Sequence, residues 1–354
     1  MSKLMFNITR VSTAKTSLDK NKDYGLIKPT QSSLSVQYAR DVKYRVSLRL
    51  KTKRYWLNKA TEYFKYSGKH IFLMCLPEYS KEFSRYTKNT KEKEVIKMKT
   101  IAIVNQKGGV AKTTTTNALA IGLSRRGYKV LAIDLDPQGN LSMSFGVNFP
   151  DEHMSVADLI LNNLREKENN VADYINNEFG VDFIIGNDDL GQVERILSGF
   201  RDGEYSLDNI LRPLKSSYDY IIIDCMPSIG NLTENAIITA DEIIIPSEPQ
   251  FFSVKGIQSL CREIKKIKTK KNPNLQIIGI LPTKLDIRTN IASEFIDKIK
   301  DVFDEEINIF SYIPISTKLA ECNEAKNIFE YDKNGKGVLA YSKFIDDYLN
   351  TNSL

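Results

Sequence analysis

From Lys99 onward the chain alternates short, continuously apolar runs with longer amphipathic stretches, and this alternation constrains the fold more than any other feature. The runs TIAIV (100–104), KVLAID (129–134), VDFIIG (181–186), YIIID (220–224), EIIIP (242–246) and QIIGIL (276–281) are dominated by Ile, Val and Leu. A strand buried on both faces loses the polar–apolar alternation of a half-exposed one, so each run reads as a strand of a largely parallel sheet. Helix-length segments fall between them, among them 113–126, 231–240, 253–268 and 290–303. The expected class is α/β, a mostly parallel doubly wound sheet covered on both faces. Right-handed crossovers place the loops that follow the strands along one edge, where such sheets bind ligands.

Other chemistries are excluded by composition. Cys75, Cys225, Cys261 and Cys322 are widely spaced with no C-x-x-C pair, so neither a disulfide framework nor a zinc cluster follows, and a reducing cytosol is the default compartment. The two histidines, His70 and His153, sit beside no candidate nucleophile. No apolar run is long enough to cross a bilayer, and the N-terminus lacks the apolar core of a secretory signal.

The net charge of +6 conceals an asymmetry. Residues 1–97 hold 22 Lys+Arg against 8 Asp+Glu, whereas 98–354 hold 28 against 36. The N-terminal 97 residues therefore form a basic extension, net +14, rich in Tyr, Ser and Thr, and the rest is an acidic domain, net −8. Residues 45–66 read as a basic helix with aromatics, which suits a DNA-binding module; a poorly ordered extension is the plainer reading. A third reading follows from Lys93-Glu94-Val95, which purine-rich codons resembling a ribosome-binding sequence can encode a few codons before Met98. On that reading translation starts at Met98 and 1–97 is a translated leader.

The string NQKGGVAKTTTT (105–116) joins the first strand to the first helix. It departs from G-x-x-x-x-G-K-[ST] at Gln106 and Ala111, yet its chemistry suits phosphate. Backbone N–H groups, a helix N-terminus and one lysine hold the anion. Gly108 and Gly109 supply freedom, Val110 continues the loop, and the Ala111 methyl is tolerable on the condition that this residue stays near helical φ. Lys112 is expected to neutralise the β and γ phosphates, Thr113 to offer Mg²⁺ a hydroxyl, and Thr114 to extend the cradle. In YIIIDCMPSIG (220–230), four apolar residues precede Asp224, the form of a Walker B strand whose carboxylate reaches Mg²⁺ indirectly. IDLDPQGN (133–140) carries Asp134 and Asp136 at a strand end, which alone reads equally well as a helix cap or turn.

Lys107 before Gly-Gly gives K-G-G-x-x-K-[ST], the deviant Walker A motif, and the chain resembles the ParA/MinD family of ATPases over nearly all of 98–354. The resemblance implies a P-loop NTPase fold and a homodimer formed around ATP. In that dimer Lys107 reaches the partner's nucleotide and stabilises charge on the γ-phosphoryl group. It further implies that Asp136 orients the attacking water, that Asp134 holds the Mg²⁺ shell through water, and that Pro227-Ser228 begins a second switch. Phe251-Phe252-Ser253 matches a loop near the dimer face, and Thr283 and Pro314 border adenine.

Within the family, MinD-type proteins end in a basic membrane-binding helix, whereas AYSKFIDDYLNTNSL is acidic and polar. The similarity to the Soj/ParA type rests on LPTKLDIRTNIASE (281–294) and IPISTKLAEC (313–322). It implies non-specific DNA binding through Arg288 and Lys318, although Ile315 stands where the family has an arginine and Cys322-Asn323 replaces Ala-Pro. The expectation is a Mg²⁺-dependent, slow ATPase that is cytoplasmic and nucleoid-associated, stimulated by a ParB-like partner, and active in plasmid or chromosome partition. The alternatives are an autorepressor using 1–97 and a MinD-like positioning ATPase.

Overall fold

The computed structural model describes residues 98–250, 252–303, 307–322 and 327–351; the expectations about 1–97, Phe251 and Asn323 lie outside the described residues. The six expected strands are β1 (Lys99–Ile103), β2 (Val130–Leu135), β4 (Val181–Ile184), β5 (Tyr220–Cys225), β6 (Glu242–Ser247) and β7 (Gln276–Pro282). A seventh, β3 (Ile175–Glu178), has the sequence INNE, with three exposed residues and no apolar run to announce it. The sheet order is β3-β4-β2-β5-β1-β6-β7, parallel throughout except for the edge pair β3–β4.

Helices α1 (Lys112–Arg125), α2 (Asn140–Ser144), α3 (Val156–Leu164), α4 (Leu190–Ile196), α5 (Ser206–Leu211), α6 (Asn231–Thr239), α7 (Ser253–Lys271) and α8 (Asn290–Phe303) fill the crossovers, followed by α9 (Thr317–Glu321), α10 (Ile328–Tyr331) and α11 (Lys336–Thr351). Alternate strand residues feed two cores. Ala102, Val104, Leu131, Ile133, Ile221 and Ile223 pack with α3 to α8, while Ile101, Ile103, Val130, Ala132 and Ile222 pack with α1, α2, α10 and α11. This is why the strands read as continuous apolar runs: both of their faces are interior.

The polar C-terminal stretch is a structural helix. Tyr341, Phe344, Ile345 and Tyr348 of α11 are fully buried. Their hydroxyls are satisfied, with Tyr341 and Thr115 3.1 Å apart and Tyr348 donating to Glu242 at 2.8 Å. Arg126 fastens the outer side, donating to Asp346 at 2.6 Å. The polar residues that dominate this stretch face outward, and its apolar stripe covers α1.

Candidate nucleotide site

The register brings the site together. β5 lies between β1 and β2, with Ile103 opposite Asp224 on one side and Asp134 opposite Asp224 on the other. The loop leaving β1 therefore starts beside Asp224, and the loop leaving β2 starts beside it on the far flank.

Residues 105–111 lie in the loop between β1 and α1, the expected cradle. Asn105 donates its side-chain amide to the Pro246 carbonyl at 2.7 Å and accepts from the Lys107 backbone N–H at 2.9 Å. Gly109 has φ 77° with open space around its Cα, where a phosphate can approach the backbone. Ala111 does not meet that condition. Its φ is 65°, in the left-handed region and not near the helical value. The chain must turn sharply to start α1 at Lys112, and a Cβ in that conformation costs about 1–2 kcal/mol. Hydrogen bonds hold it there: Thr115 N–H donates to the Ala111 carbonyl at 2.9 Å, and Thr283 Oγ1 donates to the Val110 carbonyl at 3.0 Å.

Lys112 is 7% exposed, and its ammonium donates to the Lys107 carbonyl at 3.2 Å. Burial lowers its pKa, and the charges of Asp224 and Asp136 oppose that shift. Asp224 is fully buried; Oδ1 accepts from Thr116 Oγ1 at 3.2 Å, the nearby Thr113 hydroxyl favours its charged form, and no donor is hydrogen-bonded to Oδ2 among the described residues. Burial, reinforced by Asp134, pushes Asp224 up to about 8. A buried carboxylate oxygen without a donor, beside a hydroxyl-bearing helix start, fits a hydrated Mg²⁺, whose charge would reverse that shift.

The β2 loop separates its two aspartates by environment. Asp134 is fully buried and satisfied, with Oδ2 accepting from Ser142 N–H at 2.8 Å and Ser142 Oγ at 2.7 Å, and Oδ1 accepting from Asp136 N–H at 3.3 Å. Burial raises it to about 6 despite these bonds. It thus anchors α2 as well as flanking the site. Gly186 permits this, because a Cβ there would come within 2.4 Å of the Asp134 carbonyl. Asp136 is 8% exposed and accepts from Gln138 N–H at 3.0 Å, an Asx turn that holds it at the loop's inner edge.

Lys107 is held by a residue whose contact the sequence does not reveal. Its ammonium meets Glu248 Oε1 at 2.7 Å, and Gln250 Nε2 donates to the same oxygen at 2.6 Å. Lys284 approaches Glu248 Oε2 at 3.9 Å and donates to the Gly109 carbonyl. Phe252, 68% exposed, lines a cavity of about 250 Å³ together with Lys107 and Gln250.

Of the remaining expected residues, Thr113 and Thr114 lie half-buried in the first turn of α1. Thr283 is fully buried and Pro314 half-buried, in neighbouring segments joined by the Leu285–Pro314 bridge. Arg288 and Lys318 stand in those same segments, outside the phosphate cradle. Each has a carboxylate already: Arg288 forks onto Asp286 at 2.9 and 2.7 Å, and Lys318 meets Glu321 at 3.5 Å.

A strand–loop–helix cradle, a buried lysine and a Walker B aspartate define a phosphate-binding α/β protein of the P-loop class. The family model described as an AAA domain matches residues 98–277. The chain is 34% identical to the sporulation initiation inhibitor protein Soj of Bacillus subtilis strain 168, over 69% of this chain and 95% of that protein. It is also 34% identical to the chromosome partitioning protein ParA of Myxococcus xanthus, over 68% of this chain and 84% of that protein. Cobyrinic acid a,c-diamide synthase from Mycobacterium smegmatis, solved with bound ADP and magnesium, superposes with a TM-score of 0.62 at 31% identity, over 72% of this chain and 94% of that one. The chain belongs to the ParA/Soj-type partition ATPases, within the AAA-domain family.

Proposed function

We propose that this protein is an ATP-driven switch for DNA partition, dimeric when it holds ATP and Mg²⁺, and that it works at the nucleoid in the cytoplasm. The observation that carries this reading is the buried Asp224 carboxylate beside Lys112 and the Thr113 hydroxyl, with one oxygen unpartnered among the described residues. Lys107, Gly108, Gly109, Val110, Ala111, Lys112, Thr113 and Thr114 hold the triphosphate, with Lys112 fixed against the Lys107 carbonyl. Thr113 and Asp224 hold Mg²⁺, and Asp134 contributes through water in competition with Ser142. Bound Mg²⁺ supplies charge neutralisation at the phosphates. Asp136 orients the attacking water, and the backbone around Thr283 and Pro314 borders the base.

Lys107 is the residue a partner protomer's nucleotide would draw. Its ion pair with Glu248 gives it a resting position within its own protomer. Engagement then means exchanging a carboxylate for a γ-phosphate, which couples dimerisation to the nucleotide state. A ParB-like partner acts on this exchange, and Arg288 and Lys318 contribute to non-specific DNA contact.

The test is ATP turnover and retention on random-sequence DNA for the full chain, with Lys112→Ala and Asp136→Ala alongside. The expected result is ATP-dependent, salt-sensitive retention that Lys112→Ala abolishes. DNA retention indifferent to ATP in the wild type would overturn the switch. Sequence-specific binding lost on deleting 1–97 would favour the autorepressor instead.

A further inference from the structure

Helix α7 carries seven basic residues, Lys255, Arg262, Lys265, Lys266, Lys268, Lys270 and Lys271, against Glu263 alone, in a domain of net charge −8. Their placement is not random. Ile257, Leu260 and Ile264 form the buried stripe. At 3.6 residues per turn, Lys255, Arg262, Lys265, Lys266 and Lys270 fall on the opposite face, and all five are exposed. At 1.5 Å per residue, Lys255 to Lys270 makes a row of about 22 Å.

Little among the described residues balances this row. Lys266 meets Glu263 at 2.8 Å, and Lys271, on the flank, meets Glu204 and Glu234. Among the described residues, no ion pair engages Lys255, Arg262, Lys265 or Lys270. Like charges three and four residues apart weaken a helix, so an external polyanion would offset a local cost. The residues between them are Gln258, Ser259 and Thr269. Beyond Phe252 at its start, α7 exposes no large apolar side chain. A membrane-lying helix needs such side chains to insert; a phosphate backbone needs only spaced cations.

We propose that the outward face of α7 is this chain's principal contact with duplex DNA, through phosphates and without base readout. The proposal rests on the DNA-binding reading above and relocates its main surface. Arg288 and Lys318 are each engaged by a neighbouring carboxylate, and Ile315 is exposed where the family has an arginine. The α7 row supplies the charge that those positions lack.

The experiment measures affinity of the full chain for random-sequence duplex DNA, with ATP and Mg²⁺, from about 50 to 200 mM salt. The wild type is compared with Arg262→Gln/Lys265→Gln/Lys270→Gln and with Arg288→Gln. The triple variant is expected to bind roughly tenfold or more weakly, with the log–log salt slope reduced by about 2–3, while DNA-free ATP turnover is unchanged. Lysine acetylation of the wild type adds a readout that needs no variant: DNA should protect Lys255, Lys265, Lys266 and Lys270. If the wild type binds DNA and the triple variant matches it in affinity and slope, with these lysines unprotected, the α7 surface is wrong and the switch reading survives. If the wild type binds no DNA, both fall. Loss of binding to phosphatidylserine vesicles in the triple variant, with DNA binding intact, would also overturn the proposal.

Discussion

Asp224 near the end of β5 and Asp286 in the loop after β7 have the same side chain, yet the first is raised to about 8 and the second lowered to about 2. Asp224 is fully buried on β5, between β1 and β2, and burial together with the Asp134 charge favours its neutral form, against the pull of Lys112. Asp286 lies in an exposed loop where the side chain and backbone of Arg288 donate to it. The nucleotide edge stores electrostatic cost that a bound cation can relieve. The 285–318 edge spends its charges on local pairs that water and salt already screen.

The largest expected effect belongs to the nucleotide edge. Lys112→Ala should lower ATP turnover by about 10²–10³-fold, since one preorganised electrostatic contact to a transferring group is worth roughly that much. Turnover measured with saturating Mg²⁺ checks it; a loss below tenfold would mean that the buried ammonium does not face the phosphates.

Next comes pH. With folded-state pKa values above the unfolded one, Asp134 and Asp224 bind more protons in the native state. Stability of the metal- and nucleotide-free protein should therefore fall as pH rises from about 4, up to about 6 for Asp134 and about 8 for Asp224. The slope is about 1.4 kcal/mol per pH unit for each group. Urea unfolding across this range checks it. Asp224→Asn should flatten the curve above pH 6, and ATP with Mg²⁺ should do the same in the wild type.

Ala111→Gly should stabilise the protein by roughly 0.5–1 kcal/mol, because relief of the left-handed strain exceeds the unfolded-state entropy of glycine. A destabilised variant would show that the Ala111 methyl packs usefully. Smallest is the response of the 285–318 edge. Asp286→Asn should leave the melting temperature unchanged and, by freeing Arg288, tighten DNA binding only a few-fold in low salt. A large gain would return the principal DNA contact from α7 to this loop.

Most of the architecture was legible because parallel strands advertise themselves: both faces are buried, so the apolar runs are continuous. β3 was not, since INNE at an exposed edge gains its strand from pairing with β4 rather than from its own side chains. That Lys112, Thr113 and Asp224 lie at one edge of the sheet could be read from local spacing, because they belong to one loop–helix junction and one strand end, whereas Lys107 was singled out through the family resemblance. The left-handed Ala111 conformation was not legible, as a tight loop imposes φ on a residue that would not choose it. Glu248 gives no local sign of its contact with Lys107, lying 141 residues away, and neither does the Ser142 bond that makes Asp134 an anchor.

Sequence alone thus determined the α/β class and the loop that joins β1 to α1, since periodicity and loop composition act over a few residues. Tertiary structure decided which charges are buried, which are already paired, and which line one helix face without an ion pair among the described residues. Those properties depend on water exclusion and on partners distant along the chain, which no local pattern records.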